Sequence, residues 1–99
     1  MVAFARRART YIKGMTPDEF EASQMVQDAV TYRVGLIGEA ARNVTQTTAE
    51  AIDLDWRGIR GMRNKVFHDY GDTDFEILWK TVITYLPPMI EAIERHLGP

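Results

Sequence analysis

Cysteine is absent from this chain of 99 residues. That excludes disulfides and, with them, the cysteine-rich zinc clusters that hold many small domains together. Histidine is scarce: only His68 and His96 are present, so no metal site is expected. No apolar run approaches the roughly 18 to 20 residues needed to cross a bilayer. The opening MVAFARRARTYIKG is basic but lacks the apolar segment of a signal peptide, which leaves the cytoplasm as the expected location. An excess of positive charge is also missing. Against 14 Asp and Glu stand 12 Lys and Arg, a net charge of −2, so bulk charge does not draw the chain to nucleic acid.

What is present is an ordinary globular composition, 45% hydrophobic and 26% charged. The length suits one domain spanning residues 1–99. A domain this small buries a modest share of its surface and usually needs a staple or a partner. With disulfides and metals set aside, oligomerisation remains, and a homodimer is expected. Strand-type alternation is missing throughout, so the fold class is all-α, an up-and-down bundle of four to five helices.

Local signals divide the chain. A first helix runs to Lys13 and stops at Gly14. Thr16-Pro17-Asp18-Glu19 is a start signal: a capping threonine, a proline at the first helical position and a glutamate closing a capping box. A short helix follows to about Ala22. From Gln24 to Val44, residues Val26, Val30, Ile37, Ala40, Ala41 and Val44 recur at helical spacing, with Val34 and Leu36 widening the stripe. Thr45-Gln46-Thr47-Thr48 reads as a loop, with a turn of helix over Ala49 to Ile52. Asp55 caps a helix from Trp56 to His68 or Tyr70, ending at Gly71. Asp72-Thr73-Asp74 starts the last helix, whose apolar residues run from Phe75 through Leu78, Trp79, Val82, Leu86, Ile90 and Ile93 to Leu97. Pro87 and Pro88 must kink or divide it, since neither has an amide proton.

The helix from Trp56 carries the chemistry. At about 100° per residue, Arg57, Gly61, Asn64 and His68 fall in one narrow stripe with Arg60 beside it. Trp56, Ile59, Met62, Val66 and Phe67 form the opposite, apolar sector. His68 therefore keeps company with an amide and guanidinium groups rather than with the core. Arg63 is the exception, about 140° from His68 around the helix. A charge on the apolar side needs a partner, a route to the surface, or a site completed by a second chain. Gly58 and Gly61 each weaken the helix by about 1 kcal/mol relative to alanine. Close approach of a ligand or another backbone accounts for them, and so does packing within the monomer.

The segment DWRGIRGMRNKVFHDYGDTDFEILWKTVITYLP resembles HepT-like proteins of the HEPN superfamily. That superfamily is marked by an Arg, a polar neighbour and a His four to six residues on, here Arg63, Asn64 and His68. The HepT branch adds a Tyr two residues after the His, here Tyr70. KGMTPDEF, QDAV (residues 27–30) and IGEAA (residues 37–41) extend the likeness over nearly the whole chain. An Arg-x4-His pattern alone is weak, whereas the ordered set of segments is specific. In one respect the chain departs from the pattern: the family's first helix begins earlier.

The resemblance implies a dimer whose cleft is lined by both copies of the motif, acting as a metal-independent endoribonuclease without a cofactor. It also implies the toxin role of a toxin–antitoxin pair, with a nucleotidyltransferase antitoxin that in some pairs adenylylates the motif tyrosine, Tyr70. The residue types suit that chemistry. Cutting RNA without metal takes a base for the 2′-hydroxyl, a cation at the phosphate and an acid for the leaving oxygen. Imidazole titrates near neutrality, which fits His68 for proton transfer. Arg63 offers a planar fork for phosphate oxygens, and Asn64 can hold the imidazole or a phosphate oxygen. Arg57, Arg60 and Lys65 are the expected RNA phosphate contacts, although the same run would also serve as a solvated helix face. Tyr70 is alternatively a core residue, Trp56, Phe67 and Trp79 are read as core, and Glu39 as a helix-surface acid or a partner for Arg63. His96 suits the end of the last helix. Two other functions compete: a non-catalytic subunit that binds nucleotide or RNA and docks a nucleotidyltransferase, and a plain dimerisation module.

Overall fold

A computed structural model describes residues 1–68 and 75–98, with the side chains of all but residues 63 and 65–68. Helices follow one another as α1 (Val2–Ile12), α2 (Pro17–Glu21), α3 (Gln24–Arg42), α4 (Gln46–Ala51), α5 (Trp56–His68), α6 (Phe75–Lys80), a π-helical segment (Thr81–Tyr85) and α7 (Leu86–Leu97). Among the described residues there is no strand, and the fold is the expected all-α bundle. Four long rods build it: α1, α3, α5 and the composite of α6, the π-segment and α7. The short helices α2 and α4 sit in the connections.

The helix boundaries follow from the capping chemistry. Gly14 takes φ +80 after α1, the left-handed turn that glycine makes without a Cβ penalty. At α2 the capping box is complete: the Glu19 amide donates to Thr16 Oγ1 (3.2 Å) and the Thr16 amide to Glu19 Oε1 (2.9 Å). The chain turns at Ser23, whose hydroxyl accepts from the Val26 amide and starts α3. The segment read as a loop at Thr45–Thr48 is instead helical. Thr45 caps α4 by accepting from the Thr48 amide (3.2 Å), which supplies the start that the weak helix formers after it do not.

Helix α3 is the centre of the bundle and packs against α1, α2 and α5. Val30, Val34, Ile37 and Ala41 are buried on it, joined in the core by Ala5, Ala8, Ile12, Phe20, Val82 and Leu86 from other elements. Gln27 is buried as well, its amide donating to the carbonyl oxygens of Phe20 and Glu21 (2.8 and 2.6 Å). A core amide satisfied in this way ties α2 to α3.

The two prolines divide the last rod as expected, but through a wide turn. The Leu86 amide donates to the Thr81 carbonyl oxygen, five residues back, and Pro87 and Pro88 then occupy the first turn of α7. Neither proline can donate an amide to the turn before it, and the ladder widens there. Leu97, assigned by spacing to the apolar stripe, is 73% exposed because α7 ends one residue later at Gly98. The expected stop at Gly71 and start at Asp72–Asp74 lie outside the described residues. The described part has principal extents of 41 × 29 × 16 Å, a slab about two helices deep.

Candidate active site

Helix α5 starts where Asp55 supplies a cap, its carboxylate accepting from the Gly58 amide (3.1 Å). The register that follows is set by two buried side chains, Trp56 and Ile59, with Met62 half-buried against the same core. Trp56 is tied down further, its indole N–H donating to the Ile52 carbonyl oxygen (2.9 Å). With that sector inward, Arg57, Gly61 and Asn64 are exposed. The apolar and polar sectors read from the sequence therefore hold for the described side chains of α5, Trp56, Ile59 and Met62 inward and Arg57, Gly61 and Asn64 outward.

Of the expected catalytic residues, Asn64 lies exposed on this polar face. Arg63 is within α5, and His68 is its last residue, one turn beyond Asn64; the side chains of Arg63, Lys65 and His68 are outside the described set. Tyr70, the expected modification site, is outside the described residues altogether.

The expected phosphate contacts differ from one another. Arg57 is exposed. Arg60 is half-buried and turned towards the end of α3: its Nε donates to the Ala41 carbonyl oxygen (3.0 Å) and Nη2 to that of Val44 (3.4 Å). The Ala41 carbonyl, in the last turn of α3, also accepts from the Val44 amide (3.3 Å), and Val44 lies just past the helix end. The guanidinium carbon of Arg60 also lies 5.8 Å from the centre of the Trp56 ring, a cation–π distance. Arg60 thus caps α3 and pins α5 to it. Linear spacing gave no sign of this, because the acceptors lie 16 and 19 residues away.

The two glycines have different causes. A Cβ on Gly58 would meet Asp55 Oδ2 at 2.3 Å, so the capping carboxylate occupies its place. A Cβ on Gly61 would have nothing within 4 Å. Packing within the described chain therefore does not call for glycine at 61, and the exposed face is open there to a ligand or a second backbone. Beside the start of α5, a hollow of about 570 Å³ lies between Val44, Gln46, Ala49, Glu50, Trp56 and Arg60. The turn of helix expected over Ala49 to Ile52 covers only the second half of its α4 wall; α4 buries no residue and so shows no apolar period, and the Thr45 cap is the signal for its first half. Among the described residues no three His, Cys, Asp or Glu side chains gather as metal ligands, and no described helix is long and apolar enough to cross a membrane.

Comparison with known proteins agrees with this arrangement. The sequence model of the family described as "Ribonuclease HepT-like" matches residues 1–96. The chain is 33% identical over 86 residues to "Putative RNase MJ0127" of Methanocaldococcus jannaschii, covering 86% of this chain and 71% of that protein. It is 30% identical over 79 residues to "Probable ribonuclease HepT" of Thermococcus cleftensis, covering 79% and 72%. With "Putative RNase TTE0752" of Caldanaerobacter subterraneus it shares 26% identity over 87 residues, 87% of this chain and 78% of the relative. No solved structure matches the chain significantly. The match along almost its full length, over a helical bundle with an exposed polar face on α5, shows that the chain belongs to the ribonuclease HepT-like family.

Proposed function

We propose that the chain is a metal-independent endoribonuclease, the toxin of a toxin–antitoxin pair, and that it works as a homodimer with the α5 helices lining a shared cleft. The observation that carries this reading is the exposed line of Arg57, Gly61 and Asn64 along α5, open at Gly61 and leading to His68 at the helix end. A strand of RNA laid along it would meet a cation and an amide on its way to the end of α5. The family match and the names of the relatives point to the same substrate class. The thinness of the slab and the exposed apolar side chains Tyr32, Ile77, Ile83 and Tyr85 support a second copy as partner.

In this mechanism His68 takes the proton from a ribose 2′-hydroxyl. The 2′-oxygen bonds to phosphorus, the bond from phosphorus to the 5′-oxygen breaks, and that oxygen receives a proton from the His68 of the second copy. The products are a 2′,3′-cyclic phosphate and a 5′-hydroxyl. Arg63 stabilises the charge on the phosphate oxygens, Asn64 orients the imidazole or a phosphate oxygen, and Arg57 and Lys65 hold neighbouring phosphates; Arg60, expected to join them, is engaged with the end of α3 instead. A nucleotidyltransferase antitoxin would silence the site by adenylylating Tyr70, since the added phosphodiester competes with RNA for the same cations.

The test is cleavage of RNA by purified protein in excess EDTA, wild type against His68→Ala. Wild type should cut and leave cyclic phosphate ends, while the variant should lose nearly all activity. Activity that vanishes with EDTA and returns with magnesium would overturn the mechanism. RNA bound without being cut would instead identify a non-catalytic binding subunit. Light scattering at tens of micromolar, a working range for modest interfaces, should give the mass of a dimer. Incubation with the antitoxin and ATP should add one AMP per chain to wild type and none to Tyr70→Phe.

A further inference from the structure

The hollow between the end of α3, helix α4 and the start of α5 has the chemistry of a base pocket. Its apolar lining comes from Val44 and Ala49, both packed against the core, and from the buried Trp56. Arg60 forms one side. Its guanidinium is fixed by the Ala41 and Val44 carbonyl oxygens and by the Trp56 ring, so its flat surface is already oriented and a planar ligand need not order it. Glu50 belongs to the same lining. Its carboxylate accepts from Gln46 Nε2 through Oε1 (3.0 Å), and among the described residues Oε2 makes no hydrogen bond. Arg60 and Glu50 line the same hollow without pairing with each other.

A cation fixed as a plane and a carboxylate held apart from it suit a ligand that stacks on the first and donates N–H groups to the second. Nucleobases do this: single-stranded bases stack on arginine planes and are read along their hydrogen-bonding edges. Phosphate fits poorly, since the end of α3 carries the negative pole of its dipole and Glu50 adds a charge of the same sign. Among the bases, guanine presents two adjacent N–H donors, at N1 and N2, matching the two oxygens of a carboxylate. Adenine and cytosine place an acceptor beside the amino group, which a carboxylate repels.

The position is suitable as well. From Arg60 to His68 is eight residues of helix, about 12 Å, with the open face at Gly61 between them. A strand whose base sat in the hollow would run over Gly61 towards the helix end. Building on the ribonuclease reading above, we infer that this hollow is a nucleobase subsite selective for guanine, which fixes where the RNA is cut relative to a guanine.

The two tryptophans make the site directly observable. Trp56 lines the hollow, whereas Trp79 packs on Phe20 at a ring separation of 5.5 Å and is not part of its lining. In ¹⁵N-labelled full-length protein, guanosine 5′-monophosphate should shift the indole N–H resonance of Trp56 and leave that of Trp79 in place. Inosine 5′-monophosphate, which lacks the 2-amino group, and adenosine 5′-monophosphate should bind more weakly. Glu50→Gln, at an exposed site on α4, should weaken guanosine monophosphate binding roughly tenfold, as loss of a charge-assisted hydrogen bond implies, and leave adenosine monophosphate unaffected. No response of Trp56 to any nucleotide, equal responses to all, or unchanged binding in Glu50→Gln would overturn the inference. Mononucleotides have no internucleotide bond to cut, so this result stands apart from the cleavage assay: a chain that cuts RNA but ignores guanosine monophosphate refutes only the pocket.

Discussion

Helices α3 and α5 lie against each other but are built in opposite ways. Gln27, Val30, Thr31, Val34, Gly35, Ile37, Gly38 and Ala41 are all buried on α3, so it carries much of the core, while Gln24, Met25, Asp28, Tyr32, Glu39 and Arg42 stay exposed. Helix α5 buries only Trp56 and Ile59 among its described side chains and gives the rest of its described surface to arginine, glycine and asparagine. Trp56, Ile59 and Met62 pack on the core, and polar ties add to them: the Asp55 cap, the Trp56 indole bond and the Arg60 clasp. On the reading proposed above, stability and chemistry fall largely to separate helices, so changes on one should leave the other's property largely intact.

The largest test of that division is Ile37→Ala, at a side chain with no exposed surface on α3. Removing it should cost about 2–5 kcal/mol, the usual range for a buried isoleucine, read as a lower midpoint in urea; cleavage by the molecules that remain folded should persist. Arg60→Ala would sharpen the comparison, because it removes the tie between the two helices. Two carbonyl oxygens lose a charged donor and the Trp56 ring loses its cover, for an expected loss of about 1–3 kcal/mol. A loss as large as that of Ile37→Ala would mean that α5 contributes to stability as much as α3 does. Outside both helices, Thr16→Ala removes the capping box of α2 and should cost about 1 kcal/mol in the same urea experiment, with cleavage unchanged.

The smallest stability effect should have the opposite sign. Gly61→Ala meets nothing within 4 Å, so helix propensity alone predicts a gain of up to about 1 kcal/mol. If the open face at 61 admits RNA or a second α5, the more stable variant should nonetheless cleave more slowly. Equal activity would show that the glycine serves neither. Gly58→Ala is the control, since its Cβ would displace the Asp55 carboxylate; the cap should weaken and the propensity gain should be cancelled.

Several of these features could be read from the sequence because they are local. The stop at Gly14, the capping box at Thr16 and the Asp55 start each depend on residues within four of one another, and the sectors of α5 follow from helical periodicity alone. What could not be read was either distant or without an apolar signature. Arg60 finds acceptors on another helix, and no pattern on α5 announces them. Helix α4 has no buried residue, so its threonines read as a break, although Thr45 is a cap. Pro87 and Pro88 announced an interruption without saying what form it takes. The candidate site divides in the same way: periodicity placed Asn64 and Arg57 on an open face, and the motif resemblance supplied Arg63, His68 and Tyr70.

The wide turn before those prolines has a consequence for how the last rod tolerates insertion and deletion. Leu78, Val82, Leu86 and Ile90 are all buried and spaced by four, and in a plain α-helix each such step drifts about 40° around the axis. Three steps would carry Ile90 about 120° from Leu78 and off the core. A π-turn advances fewer degrees per residue than an α-turn, so the Thr81–Tyr85 segment takes up most of that drift. Removing Thr84, with both prolines changed to alanine, would shorten the span from Leu78 to the residue now numbered 90 to 11 residues, within about 20° of three whole turns. The rod should then run as unbroken α-helix with the same side chains facing inward. One residue removed from the middle of α3 would instead swing Val34, Ile37 and Ala41 by about 100°, and the core would go with them.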